Sequence, residues 1–234
     1  MDHEIVSRAE WTVARRALLE REKELTRQRD ALAAERRRLP WVRVTKEYSF
    51  EAPVGTLTLA ELFDGRSQLI VHHFMLGPGW KEGCVGCSFL ADHVDGALVH
   101  LRQRDVTFVA VSRAPISETE AFRRRMGWRF KWVSSFGSDF NYDFHVSFRR
   151  RDLIKGKVWY NFELREIRSE DLHGVGVFFK DAGGDVFHTY SCYGRGEEFL
   201  IGTYSFLDLV PKGRDETELS PPMAWVRHHD RYDS

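Results

Sequence analysis

The feature that most constrains the fold is an alternation of apolar strand-like runs with helical segments in the middle of the chain. The strand-like runs are "QLIVHHFML" (68–76), "VTFVAVSR" (106–113) and "FKWVSSF" (130–136). Apolar residues recur at helical spacing over 88–105, and a second helix is expected near Ser117, which has the spacing of a capping box with Glu120. This order predicts an α/β fold, because parallel strands need a crossover connection and are apolar when both faces are buried.

Turn signals predict antiparallel additions to this unit. A Pro-Val-Gly turn separates two short strands within 47–63, and a short helix is expected after them. An Asp-Ala-Gly-Gly turn divides 175–193 into a hairpin, and 196–210 is expected to form a last helix that Pro211 stops. The stretch 138–173 is less regular, and its Asp139, Asn141 and Asp143 suit turns and helix starts. With the hairpin as an antiparallel edge, the order of elements is that of a thioredoxin-like mixed sheet flanked by helices.

The N-terminal residues 2–39 are predicted to form one long helix, because Ala, Leu, Arg and Glu dominate and no Gly or Pro occurs before Pro40. One apolar residue recurs every seven positions: Trp11, Leu18, Leu25, Leu32 and Leu39. The positions three residues further on are mostly polar, whereas a full coiled-coil seam needs both to be apolar. The helix therefore either lays a narrow stripe on its own domain or forms a homodimer with a second subunit. The expected organisation is a helical arm, 1–40, followed by a thioredoxin-like domain, 41–234.

Charge and composition exclude several classes of protein. The 35 Lys and Arg residues balance the 35 Asp and Glu residues, so no nucleic-acid partner is expected. The N-terminus has no apolar core of a secretory signal, and no run is long and apolar enough to span a membrane. Three cysteines in 234 residues do not make the disulfide scaffold of a secreted domain. We therefore expect a cytoplasmic protein without a membrane partner.

The stretch "GPGWKEGCVGCSFLAD" (77–92) holds two cysteines in a C-x-x-C spacing, between a predicted buried strand and a helix. Unpaired backbone N–H groups at a helix start favour an anion, so the pKa of Cys84 is expected to fall below the ordinary value of about 8.5. Cys84 is then the nucleophile that attacks a disulfide, and Cys87 is the resolving thiol that releases the product. The residues between them are small, which leaves room for a partner sulfur.

Two alternatives to redox exchange stay open for this pair. Two thiolates and one histidine suit copper(I), and His72, His73 and His188 are candidate third ligands, whereas zinc usually needs four. The other alternative is an inert pair in a non-catalytic assembly module. The third cysteine, Cys192, is expected to be a small buried side chain in the hairpin, or else an extra thiol within reach of Cys84.

Other residues are candidates for supporting roles. Trp80 lies four residues before Cys84 and either packs in its loop or shields the reactive sulfur. Arg113 ends a strand at the same edge as the cysteines, where it either stabilises a thiolate or bound acid or forms a structural ion pair. The "RHHD" segment (227–230) looks like a ligand cluster but is expected to be an exposed tail. No Gly-rich dinucleotide loop follows a strand, so no organic cofactor is expected.

Several segments together carry a family resemblance: "GCVGCSFLADHVDG", "DVTFVAVSRAP", "RMGWRFKWVSSFGSDFNYDFHVSF", "VFFKDAGGDVFHTYS", "TYSFLDLVPKGRDE" and "PMAWVRHHDRY". From about residue 40 to the end, the chain resembles a largely bacterial family known as domain of unknown function 899. The resemblance implies a thioredoxin-like fold and a predicted dithiol-disulfide oxidoreductase activity, with the family's two cysteines at Cys84 and Cys87. It does not identify the thiol or disulfide substrate, nor the electron donor.

Two features depart from well-known thioredoxins. Those proteins have a tryptophan directly before the first cysteine, where this chain has Gly83. They also have a cis-proline just before the hairpin, where "DLHGVGVFF" offers Gly174 and no proline. That proline holds extended substrate peptides and keeps metals off the cysteines. Its absence weakens the case for general protein-disulfide reduction and leaves metal binding open.

Overall fold

The structure is a computed structural model that describes residues 3–233. The chain divides into two compact units, Met1–Pro40 and Trp41–Ser234. The predicted α/β fold, with a mixed sheet flanked by helices and a long N-terminal helix, is confirmed. Within the described residues, no helix combines the length and the apolar character that crossing a membrane requires.

The N-terminal unit consists of one helix, α1 (Arg8–Arg36). It begins at residue 8, not at the predicted residue 2, because Ser7 and Glu10 form a capping box; residues 3–7 are not helical. The Ser7 N–H donates to Oε2 of Glu10 (2.9 Å), and the Glu10 N–H donates to Oγ of Ser7 (3.3 Å). No residue of α1 is buried, and its apolar heptad side chains are exposed. Dimerisation through them stays a prediction.

The second unit contains ten strands and six helices among its described residues. The strands are β1 (Val42–Arg43), β2 (Ser49–Ala52), β3 (Gly55–Thr58), β4 (Gln68–His73), β5 (Val106–Ser112), β6 (Lys131–Ser134), β7 (Lys157–Tyr160), β8 (Glu163–Glu166), β9 (Gly174–Lys180) and β10 (Val186–Cys192). The helices are α2 (Val85–Ala91), α3 (Leu98–Gln103), α4 (Ile116–Arg125), α5 (Phe140–Asp143), α6 (Arg150–Ile154) and α7 (Gly202–Leu207). Short 3-10 helices cover Glu61–Phe63, Gly194–Leu200, Pro222–Trp225 and His229–Arg231.

Eight of these strands form one mixed sheet in the order β1-β10-β9-β4-β5-β6-β2-β3. Strands β4, β5 and β6 are parallel, as the crossovers through α2–α3 and α4 require. The hairpin β9–β10 pairs antiparallel with β4, and the hairpin β2–β3 pairs antiparallel with β6. The remaining strands, β7 and β8, form a separate hairpin.

Two predicted helices are each broken in the structure. The segment 88–105 is divided between α2 and α3, because Asp95 lies in the intervening turn and its carboxylate accepts the N–H groups of Arg129 (2.9 Å) and Phe130 (3.1 Å). The segment 196–210 breaks at Ile201, whose φ of −94° and ψ of 90° lie outside the helical region. That side chain is buried in the core, so packing overrides the helical pattern there.

Two further expectations fail in detail. Helix α4 has Pro115 at its N-cap and no side-chain cap, so the predicted capping box of Ser117 is wrong. Glu120 instead pairs with Arg123 at 2.8 Å on the same helix. The stretch 138–173, whose pattern is less regular than the rest, contains α5, α6 and the β7–β8 hairpin.

The sheet separates two apolar cores, and the alternation of β4 assigns its side chains to them. Leu69 and Val71 enter one core, which His73 also faces through stacking on Phe140. His72 lies on the opposite face, in edge-on contact with Phe74. Both histidines are buried. The core on the His72 face also contains Cys87, so the thiol pair lies against this side of the sheet.

Candidate active site

The two cysteines are positioned by the return of the chain onto the end of β4. The backbone N–H of Cys84 donates to the carbonyl oxygen of Met75 (3.0 Å), which closes the loop that follows the strand. Cys84 is also the N-cap residue of α2, and its carbonyl accepts the N–H of Ser88 (3.0 Å). Cys84 therefore lies partly exposed at the start of the helix, and Cys87 lies one turn later with 3% of its surface exposed.

The hydrogen bonds of the two sulfurs give them opposite acidities. Sγ of Cys84 accepts the backbone N–H of Cys87 (3.4 Å), and Sγ of Cys87 accepts that of Met75 (3.5 Å). The pKa of Cys84 is lowered to about 6, first because the Cys87 thiol donates a hydrogen bond to its thiolate, with the backbone N–H and the charge of His173 adding to this. Burial and the neighbouring thiolate raise the pKa of Cys87 well above its usual range. At neutral pH Cys84 is a thiolate and Cys87 a thiol.

A half-enclosed cavity of about 220 Å³ opens beside the two cysteines. Its walls are largely apolar and include Leu90, Ile201, Tyr204 and Met223. These side chains come from α2, from the break before α7, from α7 itself and from the 3-10 helix Pro222–Trp225. Tertiary packing thus assembles the cavity from segments far apart in the sequence.

The polar part of the cavity wall includes a histidine and a glutamate that contact each other, besides the ion pair of Arg195 with Glu198. His173 lies directly before β9, and Glu197 lies in the 3-10 helix that follows β10. Nδ1 of His173 lies 3.0 Å from Oε1 of Glu197, whose side chain is only 4% exposed. Burial raises the pKa of Glu197, and the hydrogen bond and charge of Glu197 raise the pKa of His173 against the effect of burial. Tyr160 secures the histidine by donating its hydroxyl to the His173 carbonyl oxygen (3.0 Å).

Neither His173 nor Glu197 was among the residues predicted from the sequence to belong to the site. One signal for His173 was available, since it stands beside Gly174 at the place before the hairpin where thioredoxins have their proline. Glu197 gave no such signal, because its neighbours in sequence predict an ordinary helix.

The C-terminal "RHHD" segment is only partly the exposed tail that was expected, because Arg227, His229 and Asp230 are exposed but His228 is not. His228 is buried, and its Nε2 donates to the carbonyl oxygen of Gly83 at 2.9 Å, directly before the reactive cysteine. His229 pairs with Asp92 (2.7 Å) and Asp230 with Arg125 (2.8 Å). The segment therefore packs on the loop of the thiol pair and helps to hold it in place.

Arg113 and Trp80, the two predicted supporting residues, do not line the cavity beside Cys84. Arg113 donates two hydrogen bonds to the buried carboxylate of Asp171 (2.9 and 2.7 Å), as in the structural ion-pair alternative. Trp80 is 37% exposed and lines a separate depression that Arg125 also borders. A role of either residue in substrate binding stays a prediction.

The residues considered for metal binding are dispersed. His72 and His73 lie on opposite faces of β4, and Nε2 of His188 lies 2.7 Å from Oγ of Ser191. Cys192 is buried at the end of β10. Across residues 3–233, no group of three or more His, Cys, Asp or Glu side chains is arranged to hold a metal ion.

Comparison with protein families decides the relationship of the chain. The family described as "Bacterial protein of unknown function (DUF899)" matches residues 1–232. The chain belongs to this family. Comparison with curated proteins found no match.

Solved structures similar to this DUF899 protein are distant in sequence. A variant of peroxiredoxin Q from Xylella fastidiosa is 15% identical, with a TM-score of 0.42, over 68% of this chain and 89% of that chain. The peroxidoxin BcpB of Mycobacterium tuberculosis is 13% identical, with a TM-score of 0.41, over 70% and 95%. A Chlorobium tepidum protein assigned as a thiol:disulfide interchange protein DsbE is 11% identical, with a TM-score of 0.44, over 71% and 94%.

Proposed function

We propose that this DUF899 protein is a thiol-disulfide oxidoreductase in which Cys84 is the nucleophile and Cys87 the resolving thiol. The observation that supports this best is the contrast between the two sulfurs. Cys84 borders the cavity with a pKa of about 6, whereas Cys87 is buried one helical turn away with a raised pKa. A reactive thiolate beside a protected thiol is the arrangement that two-step exchange requires.

The chemistry follows from this contrast. The Cys84 thiolate attacks one sulfur of a substrate disulfide, so that a mixed disulfide forms and the other substrate sulfur leaves as a thiolate. Cys87 then loses its proton and attacks Sγ of Cys84, which forms the intramolecular disulfide and releases the second substrate thiolate. An external dithiol of the cell would reduce the pair again, or the same steps would run in reverse toward substrate oxidation.

The test is a redox titration of the purified, metal-stripped protein in glutathione buffers, read by alkylation and mass spectrometry at both cysteines. We expect a reversible Cys84–Cys87 disulfide with a potential between about −120 and −300 mV. The Cys87→Ser variant should trap a mixed disulfide on Cys84, and the Cys84→Ser variant should form none. A Cys192→Ala variant is the matched control and should behave as the wild type.

An absence of the intramolecular disulfide at every glutathione ratio would refute the proposal. Metal binding and a non-catalytic assembly role are the two other hypotheses for the pair, and no contact among the described residues favours either. Unchanged function in cells that carry both serine substitutions would support the assembly role. Copper or zinc in freshly purified protein, lost in the same double variant, would support metal binding.

A further inference from the structure

The cavity beside Cys84 has the properties of a site for a small apolar molecule. Leu90 and Ile201 are buried behind it, and Tyr204 and Met223 complete its apolar walls. Its volume of about 220 Å³ is below the ~300–1,000 Å³ of sites for drug-sized ligands. A substrate that fits this site therefore has a compact apolar body and presents its reactive bond to Cys84.

The polar groups in the cavity wall include an acid–base pair in addition to the thiolate. With Nδ1 of His173 bonded to Glu197, the proton that a substrate can receive from the imidazolium is the one on Nε2. His173 is also close enough to Cys84 for each charge to stabilise the other. The reacting sulfur and a proton donor thus border the same cavity.

The need for a proton donor distinguishes the two kinds of bond that a thiolate cleaves in such reactions. When a thiolate attacks a disulfide, the leaving group is another thiolate, whose ordinary pKa of about 8.5 allows it to depart as an anion. When a thiolate attacks the O–O bond of a hydroperoxide, the leaving group is an alkoxide, a base as strong as the hydroxide ion of water with a pKa of about 15.7. An alkoxide leaves readily only if an acid protonates it during departure. His173 has this task in hydroperoxide reduction and no equivalent task in the first step of disulfide exchange.

We propose that the cavity binds a small apolar organic hydroperoxide, that Cys84 reduces it, and that His173 protonates the departing alkoxide while Glu197 holds the imidazole in position. This inference rests on the proposed function of the thiol pair and names its oxidising substrate. His173 would be a catalytic residue, because it touches the leaving oxygen, and Glu197 a positioning residue.

The reaction balances in three steps. The Cys84 thiolate attacks the terminal oxygen of ROOH, so the O–O bond breaks, an S–O bond forms, and Cys84 becomes a sulfenic acid. The RO⁻ fragment takes the proton from His173 and leaves as the alcohol ROH. Cys87 then attacks the sulfenic sulfur, which forms the Cys84–Cys87 disulfide and releases water; a thiol reductant such as dithiothreitol restores both thiols.

The experiment measures second-order rate constants of the reduced full-length protein with three probes. These are cumene hydroperoxide, hydrogen peroxide and the aromatic disulfide DTNB, whose thiolate leaving group is a stable anion. We expect cumene hydroperoxide to react at least about tenfold faster than hydrogen peroxide, because one well-buried apolar group is worth about 1.5–3 kcal/mol, which is a factor of roughly 10 to 150.

The decisive variant is His173→Gln. We expect it to lower the rate with cumene hydroperoxide by about 10²–10³-fold, since general acids contribute roughly 10²–10⁴. Its rate with DTNB should fall by less than about fivefold. Because both probes react with the same thiolate, any change in the thiolate fraction alters both rates equally. Only the loss of the proton donor lowers the rate with cumene hydroperoxide more than the rate with DTNB.

Two other variants keep the test independent of whether His173→Gln folds. The rate with cumene hydroperoxide should fall as the pH rises and His173 loses its proton. In Glu197→Gln this fall should occur at lower pH, because the pKa of His173 drops when the carboxylate is removed. Met223→Glu places a charge in the cavity wall and should lower the ratio of the cumene hydroperoxide rate to the hydrogen peroxide rate about tenfold. The ratio is the readout because any change in the Cys84 thiolate fraction affects both rates equally. Leu209→Glu, at a residue that is 82% exposed, is the matched control and should alter neither.

The outcomes separate this inference from the proposed function. Equal losses with DTNB and cumene hydroperoxide in His173→Gln would overturn the role of His173 as proton donor. If hydrogen peroxide reacted as fast as cumene hydroperoxide, the assignment of the cavity as the binding site for an apolar hydroperoxide would be overturned. A protein that reacts with DTNB and forms its disulfide, but reduces neither hydroperoxide, would keep the proposed function and refute this inference. A protein that forms no disulfide with any probe would refute both.

Discussion

Replacing Cys87 with alanine should raise the pKa of Cys84 and slow its reactions near neutral pH. The Cys87 thiol donates the hydrogen bond that contributes most to the low pKa of Cys84. A hydrogen bond to a charged group contributes about 1.5–3 kcal/mol, and about 1.4 kcal/mol corresponds to one pH unit, so the midpoint of Cys84 ionisation should rise by about 1–2 pH units. The backbone N–H of residue 87 remains, which keeps the midpoint below that of a free cysteine.

The wild-type protein sets the scale for this comparison. With a pKa of about 6, Cys84 is about 90% thiolate at pH 7, whereas a free cysteine of pKa ~8.5 is about 3% thiolate. Thiolate nucleophilicity falls with pKa along a slope of about 0.4–0.5, which makes the Cys84 thiolate about 13-fold less nucleophilic. The net advantage over a free cysteine is then about twofold at pH 7 and about 12-fold at pH 6. The difference in reaction rate between Cys84 and a free cysteine is therefore larger at mildly acidic pH than at pH 7.

The assay is alkylation by iodoacetamide between pH 4.5 and 9, with rates read by mass spectrometry of the peptide that contains residue 84. All proteins carry Cys192→Ala, and the control is Cys87→Ser, whose hydroxyl still donates a hydrogen bond. We expect the alkylation rate of Cys84 to have its midpoint near pH 6 in the parent and at nearly the same pH in Cys87→Ser. In Cys87→Ala the midpoint should rise by about 1–2 pH units. A parent midpoint near 8.5, or equal midpoints in the alanine and serine variants, would refute the reasoning.

Three further predictions concern packing and assembly. Gly83→Ala should lower the free energy of unfolding in urea by about 1–3 kcal/mol, because the new methyl group would meet the buried rings of Phe74 and Phe122 at 2.5 and 2.7 Å. The control is Gly96→Ala, where the new methyl group meets no atom within 4 Å and the cost should be under about 1 kcal/mol. Asp171→Asn should destabilise by about 1.5–3 kcal/mol because it removes the buried carboxylate that accepts two hydrogen bonds from Arg113. Glu170→Gln, at an exposed carboxylate that pairs with the same arginine, should cost at most about 1 kcal/mol. Equal losses in the two variants would contradict the burial argument. Light scattering should give the mass of a dimer for the full chain. A monomeric mass would exclude assembly through α1. A dimer that persists when the apolar heptad residues of α1 are replaced by charged ones would exclude it as well.

The central part of the fold could be predicted from local sequence because its signals are strong and consistent. Strands β4 and β5 are short apolar runs buried on both faces, and the turn of the β9–β10 hairpin carries adjacent glycines. Two of the segments that were misjudged are ones where a distant partner overrides the local pattern. The turn at Asp95 exists because its carboxylate caps N–H groups more than thirty residues away, and the break at Ile201 exists because its side chain enters the core.

The site divides in the same way. The spacing of Cys84 and Cys87, and their place between a strand and a helix, are local properties, so the sequence alone predicted where both residues lie. His173 and Glu197 are 24 positions apart and join the cavity from different elements, so no spacing rule connects them to the cysteines. The contact of His228 with Gly83 joins residues 145 positions apart, and the segment that contains His228 was expected to be an exposed tail.

By itself, the sequence determined the α/β class, the order of the main strands and the position of the thiol pair, because hydrophobic periodicity, turn chemistry and cysteine spacing are encoded within a few residues of one another. Only the tertiary structure decided how deeply each thiol is buried, which side chains shift the two pKa values and what borders the reactive sulfur. Those properties depend on burial and on distances between side chains, and both arise when segments far apart in the chain pack together.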